Sequence, residues 1–232
     1  MNKTADTGSI WKEQEDISAV FISGGSIDDD FALDYMKDHP TDYVIAVDRG
    51  LKFCYRNHIH PDIVVGDFDS LPTGILEYYE TDDSVRIKRL IPEKDDSDTE
   101  SAMHTAFELN VTTIIMLGAT GTRLDHMQAN LQLLGYAYLR GVRIYLVDAH
   151  NCASIVDKDA VLKESEQFGK FVSFFACSDD VEGLTLRGFK YPLTRHHLTN
   201  LSCGLTLSNE IVETEASVTY ESGMLLMIQT RD

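Results

Sequence analysis

The sequence predicts an α/β protein: an N-terminal doubly wound, mostly parallel α/β/α sheet domain followed by a smaller all-β domain. Three observations lead there. From residue 17 to 148, short apolar runs alternate with helical patterns. Several of those runs are continuously apolar, the pattern of strands buried on both faces of a parallel sheet. After about residue 150 the runs shorten, turn residues multiply and no long helical pattern appears.

The strands are read in order as Ile17–Ser23, Tyr43–Val47, Ile63–Val65, Val85–Lys88, Thr113–Leu117 and Val142–Val147. The clearest helix runs from Leu124 to Leu139, where Met127, Leu131, Leu134 and Tyr138 recur at spacings of three and four. Another runs from Asp98 to Leu109. In the second half, Phe171–Cys177, Gly183–Arg187, Leu205–Ser208, Ser217–Tyr220 and Leu225–Thr230 read as strands, punctuated by Gly188, Asn200, Gly204, Asn209 and Gly223. The expected domains are residues 17–150 and 151–232.

Charge limits what such a protein does. In 232 residues, 20 Lys+Arg stand against 38 Asp+Glu, a net charge of −18. Nucleic-acid grip and basic membrane-surface helices both need clustered cations, so neither partner is expected. Hydrophobic residues make up 43%, enough for a core, so the acidity is not a sign of disorder. Four cysteines without a CxxC pair read as free thiols in a reducing compartment. Met1–Ser18 lacks the apolar core of a secretory signal, and no stretch approaches the roughly 20 apolar residues of a membrane span. A cytoplasmic location is expected.

Ligands of open α/β sheets bind beyond the carboxyl ends of the strands. Following those ends in this sequence come Gly24-Gly25-Ser26, Asp48-Arg49-Gly50, Gly66-Asp67-Phe68-Asp69-Ser70, and Gly118-Ala119-Thr120-Gly121-Thr122-Arg123-Leu124-Asp125-His126. Glycines, carboxylates and arginines therefore share one edge. Asp67 and Asp69 can hold a hard cation such as Mg²⁺ between them, or simply form a turn. Glu93-Lys94-Asp95-Asp96-Ser97-Asp98-Thr99-Glu100 is a second acidic cluster. It reads as a cation neighbour, a solvated loop, or a capping box of Ser97 with Glu100. The Gly118–Gly121 loop can aim N–H groups at phosphate and Arg123 can grip it, although glycines also serve a tight strand-to-helix turn.

Taken in order, Asp48-Arg49-Gly50, Pro61-Asp62, Gly66-Asp67-Phe68-Asp69-Ser70, Glu93-Lys94-Asp95 with Asp98, Gly118 to Asn130 and Ser208-Asn209-Glu210 resemble the thiamine pyrophosphokinase family of bacterial type. The resemblance spans about residue 20 to the C-terminus. It implies pyrophosphoryl transfer from ATP to thiamine, giving thiamine diphosphate and AMP. It also implies a homodimer in which each all-β sandwich domain meets the partner's catalytic edge. By the same resemblance, Asp67, Asp69 and Asp98 form the Mg²⁺ shell. Asp48, Arg49, Asp95, Gly118, Thr120, Gly121, Arg123, Asp125 and Asn130 form the nucleotide and phosphate framework, and Ser208 and Asn209 contact thiamine. Arg123 and Asp125 join the metal ligands as catalytic candidates. Two departures stand out: many relatives carry a glycine where this chain has Arg49, and Ser97 replaces a threonine while keeping the hydroxyl.

Two other functions compete. A haloacid-dehalogenase-type phosphatase would use the first Asp of Asp67-Phe68-Asp69 as nucleophile, but Leu71 follows where Thr or Val is usual. A non-catalytic Mg-nucleotide sensor would bind ATP without turnover.

Overall fold

The computed structural model describes residues 16–91, 97–121, 123–202 and 204–232. Among the described residues, six parallel strands come first: β1 (Ser18–Ile22), β2 (Tyr43–Val47), β3 (Ile63–Gly66), β4 (Arg86–Arg89), β5 (Thr113–Leu117) and β6 (Arg143–Val147). Between them run the helices α1 (Asp29–Asp38), α2 (Leu51–Arg56), α3 (Ile75–Glu80), α4 (Asp98–Glu108) and α5 (Leu124–Tyr138). Strand order in this half is β4-β3-β2-β1-β5-β6. The chain steps outward from β1 to β4, then returns to pair β5 beside β1. Right-handed crossovers then put α1–α3 on one face and α4–α5 on the other.

Alternation along each strand supplies both faces. Ala19, Phe21, Ile45, Val47 and Val65 pack with Ala102, Met103, Ala106, Leu134 and Ala137 of α4 and α5. Their neighbours Val20, Ile22, Ala46 and Val64 pack with Ala32, Leu51, Phe53, Cys54 and Leu76 of α1–α3. Each fully buried Phe, Leu or Ile here contributes about 1.5–3 kcal/mol relative to exposure. At the sheet's edge, β4 (RIKR) is only partly covered, which is why it carries three cations.

The second half is antiparallel: β7 (Asn151–Val156), β8 (Ala160–Lys163), β9 (Phe171–Arg187), β10 (Leu193–Thr199), β11 (Glu215–Thr219) and β12 (Ser222–Thr230). Its own core gathers Val172, Phe174, Leu184, Leu186, Val218 and Leu225. The sheet does not break between the halves. It continues β6-β7-β12-β9-β11-β8, with β10 on β9, so residue 150 marks a reversal of strand direction.

Several expectations need correction. Phe171–Cys177 and Gly183–Arg187 belong to one 17-residue strand, carried past Gly183, whose φ is +70°. Leu205–Ser208 is not a strand. It touches β9 through Thr206, bonded to Phe174 both ways, and through a single bridge at Asn209, because Ser208 at φ +52° turns the chain out of extension. Strands β7, β8 and β10 were not anticipated: their sequences, NCASIV, AVLK and LTRHHLT, are short or polar.

Cys54 is fully buried on α2, and that burial pushes its thiol up to about 12. Native Cys54 should therefore resist alkylation at pH 8 and react fully after unfolding, read by peptide mass spectrometry. Rapid native labelling would contradict this packing.

Candidate active site

The loops after β1, β2, β3 and β5 meet at one end of the sheet. Those after β1 and β5 are stitched together, with Ser23 N–H donating to Leu117 O at 2.8 Å, Gly25 N–H to Gly118 O at 2.8 Å and Ser26 N–H to Thr120 O at 2.8 Å. A Cβ on Gly25 would lie 2.1 Å from Thr120 O, so only glycine permits this seam.

Beside the seam lie the carboxylates. Asp48 opens a 3₁₀ turn, Asp48–Gly50, with φ +44°, a conformation that costs an Asp little more than an Asn. Phe68, also at positive φ, buries its ring and leaves Asp67 and Asp69 on either side. The Asp67 carboxylate accepts the Asp69 N–H at 3.1 Å, so the turn expected of these residues is present. Asp98 is the first residue of α4, capped by Ser97, whose hydroxyl accepts the Glu100 N–H at 3.1 Å. The structure brings Asp48, Asp67 and Asp98 into one field. The Asp48 carboxyl is raised above its ordinary value, first by burial and then, against the hydrogen bond from Arg49 N–H, by the charges of Asp98 and Asp67. Ser70 Oγ donates to Asp48 at 3.3 Å.

On the other side of the seam, Arg123 and Asp125 face each other across two hydrogen bonds, of 3.2 and 2.5 Å. The pairing holds Asp125 down to about 2. Both side chains are exposed at the start of α5. Asn130, two turns in, donates to Ala119 O at 2.8 Å and so fixes the Gly118–Gly121 loop. Thr120 lies in that loop, its carbonyl taken by Ser26. Asp95 lies outside the described residues.

Ser208 and Asn209 lie in the antiparallel half, and among the described residues no hydrogen bond ties them to the acid cluster. Ser208 is exposed. Asn209 is 1% exposed, its amide donating to Tyr191 O and accepting from Tyr191 N–H and Glu210 N–H. Its side chain builds the turn that presents Ser208.

No trio of edge carboxylates among the described residues is as tight as Asp180, Glu182 and His197 in the antiparallel half, whose ligand atoms lie within 4.8 Å. There the His197 ring nitrogens lie 3.5 and 3.3 Å from the two carboxylates, so an exposed side-chain contact accounts for the group. A cavity of 360 Å³ lies at the opposite end of the sheet between α2 and α3, lined by Tyr55, His58, Tyr78 and Asp82. It is remote from the acid cluster. A second, of 160 Å³, lies at the carboxyl edge itself. Sequence reasoning missed its Ser23, Lys52 and Arg56.

A parallel sheet with its acids gathered at the carboxyl edge, continued by an antiparallel half, defines a two-part α/β enzyme. Comparison with known proteins narrows the class. The family model for the thiamin pyrophosphokinase catalytic domain matches residues 36–146, and that for the thiamin pyrophosphokinase vitamin B1 binding domain matches residues 159–225. The chain is 32% identical to the thiamine pyrophosphokinase of Bacillus subtilis (strain 168) over 195 residues, covering 81% of this chain and 87% of that one. A crystal structure of thiamine pyrophosphokinase from Bacillus subtilis superposes with a TM-score of 0.81 at 28% identity, over 93% of this chain and 99% of that one. Yeast thiamin pyrophosphokinase, at 14% identity, shares the fold with a TM-score of 0.78 over 94% of this chain and 87% of that one. The chain belongs to the thiamine pyrophosphokinase family. Its enzyme class is thiamine diphosphokinase, a transferase of thiamine diphosphate biosynthesis.

Crowded carboxylates are an unfavourable arrangement in a ligand-free fold. Asp48→Asn should raise the thermal midpoint in divalent-free buffer by about 2–4 °C, the shift made by roughly 1 kcal/mol in a protein of this size. A lower midpoint would show that the Ser70 hydrogen bond outweighs the repulsion.

Proposed function

We propose that the carboxyl edge carries the reaction of this family with ATP as the pyrophosphoryl donor, and that Asp67, Asp69 and Asp98 hold Mg²⁺ there. The observation that supports this most is the field at Asp48: a half-buried carboxyl beside two more acids fits a hard cation, which prefers carboxylates, waters and phosphate oxygens. Mg²⁺, when bound, supplies charge neutralisation on the phosphates. Asp95, next to this cluster in sequence, joins Asp48 and Arg49 in the nucleotide framework.

The chain's own residues do the rest. Arg123, released from Asp125, places a forked guanidinium on the transferred group. Gly118, Thr120 and Gly121, fixed by Asn130 and by the seam to residues 23–26, hold the loop that shapes the phosphate path. The thiamine hydroxyl oxygen bonds to the β-phosphorus while the bond to the bridging oxygen breaks, and AMP leaves with that oxygen. The hydroxyl proton passes to a carboxylate. Asp69 and Asp125 are the two candidates for that role.

Residues 17–150 form the catalytic part of this reading, and 151–232 the thiamine-binding and dimerising part. Ser208, with Asn209 shaping its turn, meets thiamine from the partner subunit. Leu201, Leu205, Leu207 and Val212, all exposed along the same segment, support a buried contact between two copies. No described helix is long and apolar enough to cross a membrane. The free thiols of Cys54, Cys152 and Cys177 support a cytoplasmic location.

Purified protein with ATP, Mg²⁺ and thiamine should release AMP and thiamine diphosphate together; free phosphate without thiamine would favour the phosphatase reading. Asp67→Asn should cut turnover at least about a hundredfold with the fold intact by circular dichroism. Near-normal turnover would remove Asp67 from the metal shell. Leu205→Asp with Leu207→Asp should shift the protein from dimer to monomer in sedimentation velocity; a pair of substitutions without effect would put the interface elsewhere.

A further inference from the structure

The 160 Å³ crevice between the carboxyl ends of β1 and β2 is lined by Ser23, Gly24, Gly25, Arg49, Lys52 and Arg56, among others. Three cations at one small cavity stand out in a chain with a net charge of −18. Arg56 is fixed there: its guanidinium is gripped by both oxygens of Asp29, which Asn57 also holds at 3.0 Å. Arg49 makes only a loose pair with Asp48, at 3.9 Å, and Lys52 has no ion pair among the described residues. The cavity therefore keeps an excess of positive charge directly beside the acid cluster.

Ser23 adds an independent sign. It is 5% exposed, and its Oγ has no hydrogen-bond partner among the described residues. A buried hydroxyl left unpaired loses its hydration without replacement, so such groups are rare in folded proteins without a function. The loop it belongs to is shaped for this position. A Cβ on Gly24 would lie 2.7 Å from Arg49 Cβ, so glycine alone allows the loop to close over Arg49.

Buried hydroxyl, glycine loop and convergent cations together recognise a phosphate. The cavity is smaller than the roughly 300–1,000 Å³ of a whole-ligand pocket, so it takes one group of a larger molecule. We propose that this crevice is the subsite for the α-phosphate of the nucleotide, which stays with AMP after transfer. The assignment rests on the ATP-dependent reading above. It separates the charges of the reaction: the transferred pyrophosphoryl group faces Arg123 and the acid cluster, while the leaving phosphate is held one strand over by Arg49, Lys52 and Ser23.

The test compares wild type, Ser23→Ala and Lys52→Ala for inhibition by AMP, adenosine and inorganic phosphate, and for thermal midpoint. AMP should inhibit wild type, adenosine at equal concentration should not, and phosphate should inhibit weakly. Both variants should weaken AMP inhibition at least about tenfold and lower kcat/KM for ATP, while KM for thiamine stays within about twofold. Ligand-free Ser23→Ala should be at least as stable as wild type, because it removes an unpaired hydroxyl; a purely structural Ser23 would lose stability and leave AMP inhibition unmoved. Wild-type turnover with AMP inhibition unchanged in both variants would overturn the subsite and leave the reaction standing. Adenosine inhibiting as well as AMP would assign the crevice to the nucleoside and overturn it too. An inactive wild type would overturn the ATP-dependent reading on which the subsite stands.

Discussion

At the carboxyl edge, backbone meets backbone with no side chain between. Gly50 lies so close to β1 that a Cβ would sit 1.7 Å from Ile22 O. With the Gly25 seam, this contact locks the loops after β1, β2 and β5 into one surface. Each loop carries part of the proposed chemistry: Asp48 and Arg49 after β2, Ser23 after β1, and the Gly118–Gly121 turn leading to Arg123 after β5. A larger residue at either glycine would push these loops apart before it touched Asp48, Arg49 or Arg123.

The same locking lets the protein hold a repulsive arrangement. Asp48, Asp67 and Asp98 come from three different elements, and none could stay near the others by its own preference. Their positions are imposed by two cores, one on each face of the sheet, whose strand residues alternate between α4–α5 and α1–α3. Stability generated in the cores is carried to the edge and held there as electrostatic strain, which the proposed cation would relieve. The acidity of the whole chain thus divides into a solvated part and a part gathered at the carboxyl edge.

How much of this was legible in sequence follows from burial. Strands β2 and β5 were read to the residue because both faces are covered and every position is apolar or nearly so. The antiparallel half was read less well because its strands are half-exposed. LTRHHLT of β10 carries three cationic-type side chains on a covered-on-one-side edge, and β9 passes through Asp179-Asp180 and Gly183 without stopping. Motif reading singled out Asp48, Asp67 and Asp69 because they follow strands directly, and Asp98 and Arg123 because each stands at the start of a helix. It missed Ser23, Lys52 and Arg56, because their meeting depends on the parallel pairing of β1 with β2 and the turn of α2. Asn209 was legible as a motif residue, yet its buried amide is spent on Tyr191 and Glu210, a fact only the packed turn reveals.

The junction of the two halves constrains how they work together. After β6 the chain reverses in a turn held by one side chain: Asp148 Oδ1 accepts from His150 N–H, Asn151 N–H and the Asn151 amide. Strand β7 then pairs back onto β6 at Val147–Cys152 and Leu146–Ala153. Arg231, near the C-terminus, donates to Ala149 O at 2.8 Å and lies over the rings of Phe31 and Phe168, tying the last strand to α1. A flexible linker would let the antiparallel half swing toward its own catalytic edge. A shared sheet, a capped turn and a cation held between two aromatic rings oppose that swing. Within one subunit, Ser208 therefore remains on a half whose direction is fixed by the sheet, and a site that needs both halves is more easily completed by a second copy than by bending the first.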